Sequence, residues 1–93
     1  MIRLLADPLR ARIVELLAQG AACTCHLVED TGATQPNVSN HLRVLRQAGV
    51  VQAEPRGRFT FYRLRPEVLE GAAAYLTALA EQARASDDVR REC

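Results

Sequence analysis

The stretch AACTCHLVEDTG, residues 21–32, places Cys23 and Cys25 one residue apart at the start of a predicted short helix. Thiolates are good ligands for soft metal ions, and they are also the form of cysteine that is oxidised. A helix N-terminus favours this reactive thiolate form. The remaining cysteine, Cys93, is the last residue of the sequence. An odd number of cysteines argues against a disulfide framework, so we expect reduced thiols in a cytoplasmic protein.

The spacing of Cys23 and Cys25 restricts how they could share one ion. On a regular helix, residues i and i+2 point about 200° apart. Both sulfurs therefore reach one ion only if the first turn unwinds or if they lie in an irregular segment before the helix. Ion binding would then distort this helix and any neighbouring helix that packs against it.

The elements around the cysteines are predicted to be helical. Asp7 is a natural N-cap for a first helix that begins at Pro8. The cysteine helix ends at Gly32, and Thr34 caps a further helix that runs to Gly49. Two short helices joined by a tight turn describe a helix-turn-helix, or alternatively a plain helical hairpin with a polar surface.

The outer face of the third helix is rich in small polar groups. A plain hairpin does not explain why this face carries amides and a hydroxyl, the groups that pair with base edges in the major groove. Residues 34–65 hold six arginines and one glutamate, a local net charge of +5 in a chain whose net charge is +1. This balance favours a nucleic-acid partner. The candidate DNA-binding residues on this helix are Gln35, Asn37, Ser39, Asn40 and Arg43.

A β-hairpin is predicted directly after this helix. Two β-rich runs, Val50 to Ala53 and Phe59 to Leu64, surround the turn EPRG. Arg56 and Arg58 lie at its tip, which makes the hairpin a candidate DNA-binding wing. The predicted fold class is therefore mainly α with a β-hairpin, a winged helix-turn-helix.

The C-terminal part of the chain predicts a dimerisation helix over residues 66–85, followed by a flexible tail over 86–93. Its apolar positions recur at steps of three and four, typical of a coiled-coil seam: Leu69, Ala72, Leu76, Leu79 and Ala83. This pattern favours a homodimer formed through terminal helices, although a helix packed on its own domain would also be amphipathic. Residues 1–93 form a single predicted domain, without an apolar run long enough to span a membrane. The sequence has no phosphate-binding glycine loop or evident catalytic arrangement, so no enzyme is expected.

The segments LADPLRARIVELL, CTCHL, TQPNVSNHLRVLRQAGVV and RGRFTFYRL together resemble the ArsR/SmtB family of bacterial metal-responsive repressors. The resemblance implies a winged-helix homodimer that binds pseudo-palindromic operator double-stranded DNA and leaves it when an inducer binds. It places Gln35, Ser39 and Asn40 at bases, with Arg56 and Arg58 on the wing. Pro36 replaces a small polar residue of many relatives, and the motif residue His41 is expected to pack between helices.

The resemblance also gives the cysteines a role. Arsenite and antimonite repressors, and cadmium or lead repressors, carry Cys-x-Cys at this helix, which implies As(III) or Sb(III), or else Cd(II) or Pb(II), as inducer. Relatives with a third cysteine have it where this chain has Val28. Cys93 is therefore the candidate third metal ligand or a spectator, and His26 is a candidate nitrogen ligand.

Two further alternatives bear on the inducer. A thiol redox or persulfide sensor of the same fold would join Cys23 or Cys25 to Cys93. The zinc and cobalt site of related repressors uses aspartate and histidine pairs on the dimer helix. Because residues 66–85 contain no histidine, we do not expect that site.

Overall fold

A computed structural model describes residues 1–92 as five helices and a three-stranded sheet. The elements in chain order are α1 (Ile2–Leu5), α2 (Pro8–Leu17), β1 (Ala22–Cys23), α3 (Thr24–Thr31), α4 (Gln35–Gln47), β2 (Val51–Arg56), β3 (Phe59–Leu64) and α5 (Pro66–Ala85). Helices α3 and α4 form the helix-turn-helix, and β2 and β3 form the wing. The predicted fold class is confirmed.

The helix ends follow from side chains close to them in sequence. The Asp7 carboxylate caps α2 by accepting the backbone N–H of Arg10 at 3.0 Å. Thr34 caps α4 by accepting the backbone N–H of Asn37 at 3.4 Å. Gly32 ends α3 with a φ of 72°, a left-handed conformation that suits glycine.

The wing is longer than the sequence pattern predicts. Strand β2 continues beyond Ala53 to Arg56, which pairs with Phe59 and leaves Gly57 and Arg58 as a two-residue loop. Gly57 has a φ of 60°, as the first position of such a loop requires. Pro55 does not end the strand because β2 lies at the edge of the sheet, where a residue without an N–H is tolerated.

A third strand, β1, was not predicted. Ala22 pairs with Tyr62 and Cys23 pairs with Phe61, so β3 lies between β1 and β2. A two-residue strand carries no periodicity that a sequence could display. Its consequence is that Cys23 belongs to the sheet, whereas Cys25 belongs to the helix.

One hydrophobic core joins the helix-turn-helix to the sheet. Leu27 of α3 is fully buried together with Val38, Leu42 and Leu45 of α4, as their spacing predicts. Ile13 of α2 belongs to the same cluster. This packing leaves the polar face of α4 exposed.

Helix α5 packs against the hydrophobic core only near its beginning. Val68 and Leu69 are partly buried against the core, but every residue from Ala73 to Ala85 is exposed. The molecule is elongated, with extents of 60 × 23 × 20 Å. Among residues 1–92, no helix combines the length and apolarity needed to cross a membrane.

Candidate metal centre and nucleic-acid interface

Three potential metal ligands converge where β1 passes into α3. Cys23, Cys25 and His26 each offer a ligand atom, and these atoms lie within 4.8 Å of one another. Cys23 is the N-cap of α3 and has extended backbone angles, with φ of −86° and ψ of 166°. The irregular lead-in, one of the two routes considered from the sequence, therefore brings the sulfurs together without unwinding α3.

The oxidation state differs from the sequence-based expectation. Cys23 and Cys25 are joined by a disulfide, with their Cα atoms 5.4 Å apart, so the prediction of reduced thiols is wrong for this structure. The alternative pairing of Cys23 or Cys25 with Cys93 stays a prediction, although here the two cysteines bond to each other. Extended geometry at Cys23 makes this short link possible. Cys93 lies outside the described residues.

His26 is held by both neighbouring elements. Its Nδ1 accepts the backbone N–H of Cys23 at 3.2 Å and lies 3.4 Å from the Cys23 sulfur. Its ring also contacts Phe61 of β3 edge-on, with centroids 6.0 Å apart. Although the side chain is exposed, it is positioned beside both sulfurs. Its place three residues after the N-cap was the available sequence signal, because a capping box uses that position.

A pocket of about 420 Å³ connects the cysteines with two predicted DNA-binding residues. Its lining includes Cys23 and Cys25 on one side, Gln35 at the start of α4, and Arg58 in the wing loop. Phe59 and Tyr62 of β3 also line it. The pocket exists because β1 places the cysteines beside β3.

The predicted DNA-binding residues are all on the surface. Gln35, Asn37, Ser39, Asn40 and Arg43 are exposed along α4, and Arg56 and Arg58 are exposed at the wing. The Arg43 guanidinium donates to the Asn40 side-chain oxygen. Arg56 lies 3.7 Å from Glu54, which makes a closer pair of 2.8 Å with Arg63. Gln35 and Arg58 share the pocket, which joins the two parts of this surface.

His41 lies on the opposite, inner side of α4. It is 8% exposed, and its Nδ1 accepts from the Arg10 guanidinium at 3.2 Å. Its Nε2 lies 3.7 Å from an Asp7 oxygen. The hydrogen bond from the Arg10 backbone lowers the pKa of the Asp7 carboxyl below its ordinary value of 3.8. This packed position of His41 agrees with the expectation from its sequence motif.

Comparison with known proteins identifies the family from the same segments. The family model described as "Bacterial regulatory protein, arsR family" matches residues 7–53, which include α2, both cysteines of the site and α4. The chain belongs to the ArsR family. Members of this family are DNA-binding transcription regulators and not enzymes, and this chain carries the Cys-x-Cys motif within the family fold.

Three individual similarities extend this result. The chain is 37% identical over 82 residues to an arsenic resistance transcriptional regulator of Pseudomonas putida, covering 87% of this chain and 64% of that protein. The crystal structure of a possible transcriptional regulator for arsenical resistance matches with a TM-score of 0.76 and 34% identity. That alignment covers 96% of this chain and 95% of the other.

The third similarity concerns assembly. A winged helix-turn-helix domain from Mycobacterium bovis, described as homodimeric and as a possible ArsR-family transcriptional regulator, matches with a TM-score of 0.68. It is 29% identical, over 86% of this chain and 74% of that one. The matched regions span 64% and 63% of the length of two curated arsenic resistance regulators, from Pseudomonas putida and Escherichia coli.

Proposed function

We propose that this protein is a transcriptional repressor that binds operator double-stranded DNA as a homodimer in the cytoplasm. Trivalent arsenic or antimony releases it by binding to the reduced thiolates of Cys23 and Cys25. The observation that carries the proposal is the common pocket of these cysteines, Gln35 and Arg58. An inducer at the sulfurs would lie beside the two parts of the proposed DNA-binding surface.

The connections of the site suggest how binding would change DNA affinity. Cys23 pairs with Phe61 in β3, the strand that leads back to the wing loop. Cys25 lies in the first turn of α3, whose Leu27 packs in the same core as α4. An inducer bonded to both sulfurs constrains β1 against α3. The inducer lowers DNA affinity if it binds more tightly to an arrangement in which α4 and the wing no longer fit the operator together. The size of the effect follows from the difference between its affinities for the two arrangements.

The proposed homodimer uses the terminal helices. Ile2 of α1 and Tyr75 of α5 are about two-thirds exposed, at 67% and 66%. Together with Leu76 they line an open groove of about 430 Å³ between α1 and α5. Exposed apolar surface of this kind is typical of a protein–protein interface. We propose α5 as the dimerisation helix because Leu76, Leu79 and Ala83 of its apolar seam are exposed.

Two other inducers are supported by particular observations. His26 beside the two sulfurs supplies a nitrogen ligand, and a set of two thiolates and an imidazole suits Cd(II) or Pb(II) as an alternative. The Cys23–Cys25 disulfide favours an oxidant as the second alternative. With a peroxide, two thiols lose two electrons and two protons to form the disulfide, and hydrogen peroxide becomes two waters.

The test is a band-shift titration of phosphine-reduced protein on DNA from upstream of its own gene. Arsenite, antimonite, cadmium, zinc and hydrogen peroxide are added in separate arms. Release by the trivalent metalloids supports the proposal, whereas release by cadmium or peroxide alone favours the corresponding alternative. Cys23→Ser and Cys25→Ser should bind DNA like wild type but resist arsenite, because a neutral hydroxyl is not a soft anionic ligand. Arsenite release of the double variant would refute the metalloid proposal.

Cys93→Ser tests whether Cys93 is a third ligand or a spectator. If Cys93 completes a three-sulfur site, this variant should respond to arsenite much more weakly, while its DNA affinity stays unchanged. A normal response would exclude Cys93 as a ligand and leave a site of two thiolates completed by solvent.

A further inference from the structure

The number of cysteines at the site restricts the form of arsenic that suits it. Trivalent arsenic forms three bonds. When arsenous acid reacts with Cys23 and Cys25, two As–O bonds break, two As–S bonds form, and two waters leave with the thiol protons. One hydroxyl remains on arsenic. A trivalent arsenical with one carbon substituent loses both of its hydroxyls in the same exchange, so two thiols complete its coordination.

The pocket next to the sulfurs has room for such a substituent. Its volume of about 420 Å³ is within the range of about 300–1,000 Å³ that is typical of small-molecule sites. A hydroxyl on arsenic would leave most of this space to water. Cys23 and Cys25 are among the residues that line this pocket, so a group attached to arsenic at their sulfurs would lie next to it.

The remaining walls favour an aromatic substituent. Val28, Phe59 and Tyr62 provide an aliphatic group and two rings. Arg58 adds a guanidinium, which interacts favourably with the face of an aromatic ring. Aromatic pairs and burial of apolar surface both stabilise a bound aryl group, and neither contributes to binding a hydroxyl.

We propose that this pocket binds the organic group of a monosubstituted trivalent arsenical, and that aryl arsenicals are preferred over inorganic arsenite. The inference rests on the proposed function, because it requires arsenic to bind at Cys23 and Cys25. It adds the class of ligand: an arsenic(III) atom that carries one aryl group.

The test compares phenylarsine oxide with arsenite on the phosphine-reduced full-length chain without DNA. Binding is followed through the ultraviolet absorption of the arsenic–sulfur bond. The ratio of phenylarsine oxide affinity to arsenite affinity is also measured for a small soluble dithiol. Dividing the two ratios corrects for the intrinsic difference in thiol affinity between the two compounds. We expect the protein to favour phenylarsine oxide by at least about tenfold more than the dithiol does.

Two variants test the pocket itself. Thr60→Trp fills it from an exposed position on β3. This variant should reduce the ratio of phenylarsine oxide affinity to arsenite affinity by about tenfold. Its arsenite affinity itself should change by less than about twofold. Phe59→Ala, at a side chain that is 57% exposed, should reduce the same preference without disturbing the core. Gln52→Trp is the control, because Gln52 is an exposed strand residue that does not line the pocket.

The possible failures are distinguishable. Failure of both compounds to bind would contradict the proposed function. If arsenite binds and releases DNA but the protein shows no more preference for phenylarsine oxide than the dithiol, the aryl pocket is refuted and the proposed function stands. Equal loss of both affinities in Thr60→Trp, or an unchanged ratio in both pocket variants, would also refute the pocket.

Discussion

At the scale of single residues, the start of α3 combines a structural and a chemical role. The imidazole of His26 accepts the backbone N–H of Cys23 while lying beside its sulfur. A metal ion that bound Nδ1 would take the lone pair that this N–H uses. Metal binding and the cap of α3 therefore compete for the same atom, Nδ1. A divalent ion bound there would change the hydrogen bonding at the start of the helix.

His26→Gln separates these two roles. Glutamine at this position can accept the N-cap N–H, as in a capping box, but it lacks a nitrogen ligand. We expect the variant to unfold in urea like wild type, whereas its cadmium affinity falls by about tenfold or more. His26→Ala is the comparison, because it removes both the cap and the ligand. Unchanged cadmium affinity in His26→Gln would exclude the imidazole as a ligand.

Asp7 gives the fold a pH dependence whose sign follows from its cap. The hydrogen bond from the Arg10 backbone lowers the pKa of Asp7 in the folded chain, so its contribution to stability is present above the ordinary value of 3.8. That contribution is lost as pH falls through the lower, folded-state pKa. Asp7→Ala should therefore be less stable than wild type at pH 7, and urea titrations should show this difference shrinking below pH 3.8.

Asp7→Asn is the matched control because asparagine caps a helix as well as aspartate but does not titrate. Its stability should stay close to wild type at pH 7. A wild-type advantage over Asp7→Ala that persisted undiminished in strong acid would contradict the role of the carboxylate.

At the scale of elements, α4 and the wing make different proposed contributions to DNA binding. Helix α4 is anchored by Val38, Leu42 and Leu45, and its amides and hydroxyl face outward. The wing instead presents Arg58 from its loop and Arg56 from the end of β2, where they suit the phosphate backbone. Base contacts specify the sequence, whereas phosphate contacts mainly position the protein and supply affinity.

Gln35→Ala should relax sequence preference. Loss of a base contact is expected to cost about 1–3 kcal/mol on the cognate operator, with a smaller effect on unrelated DNA. Fluorescence anisotropy at one fixed salt concentration measures both affinities. Gln47→Ala provides the control, because it removes the same exposed side-chain type at the other end of α4. Equal effects of the two changes would exclude a specific role for Gln35.

Arg58→Ala should weaken binding to all DNA sequences by similar factors. Loss of one phosphate contact is expected to reduce the slope of log affinity against log salt by about 1. The measurement is a salt titration on operator and unrelated DNA. Arg12→Ala removes an exposed arginine on α2 and should leave the slope unchanged. A slope in Arg58→Ala equal to that of wild type would place the wing away from the phosphates.

At the scale of the whole molecule, the elongated shape leaves α5 incompletely packed. Leu76 and Leu79 are 40% and 44% exposed, on a helix whose beginning alone contacts the core. A chain of 93 residues buries a limited core, so a second copy covering this seam would add substantially to its stability. A two-fold dimer would also fix the spacing of two copies of α4.

Leu76→Asp tests the interface by placing a charge in the seam, where loss of hydration is unfavourable. Sedimentation equilibrium should show monomers, and operator affinity should fall by about 100-fold or more because two half-sites need two linked helices. Val89→Asp adds the same charge at an exposed residue outside the seam and should remain dimeric. A Leu76→Asp protein that dimerises like wild type would move the interface to another surface.

The sequence by itself determines the helices and their ends, because the groups that set them lie within a few residues of each other. Asp7 and Thr34 cap backbone N–H groups three residues away, and Gly32 adopts a conformation that other residues avoid. The wing can also be predicted from the sequence, since β-rich runs flank a glycine turn. The sequence pattern underestimated only the length of β2. Pro55 is tolerated within this strand because β2 lies at the edge of the sheet, and edge position is a property of the folded sheet.

The arrangement of the cysteine site was decided by tertiary structure. Cys23 lies outside the helix because it pairs with Phe61, a residue far along the chain. No local sequence pattern predicts a strand of two residues. That pairing turns the sulfurs of Cys23 and Cys25 toward each other and places them beside Phe59 and Tyr62. Residue types could indicate the thiol chemistry, but the pocket depends on non-local strand pairing, which exists only once the chain is folded.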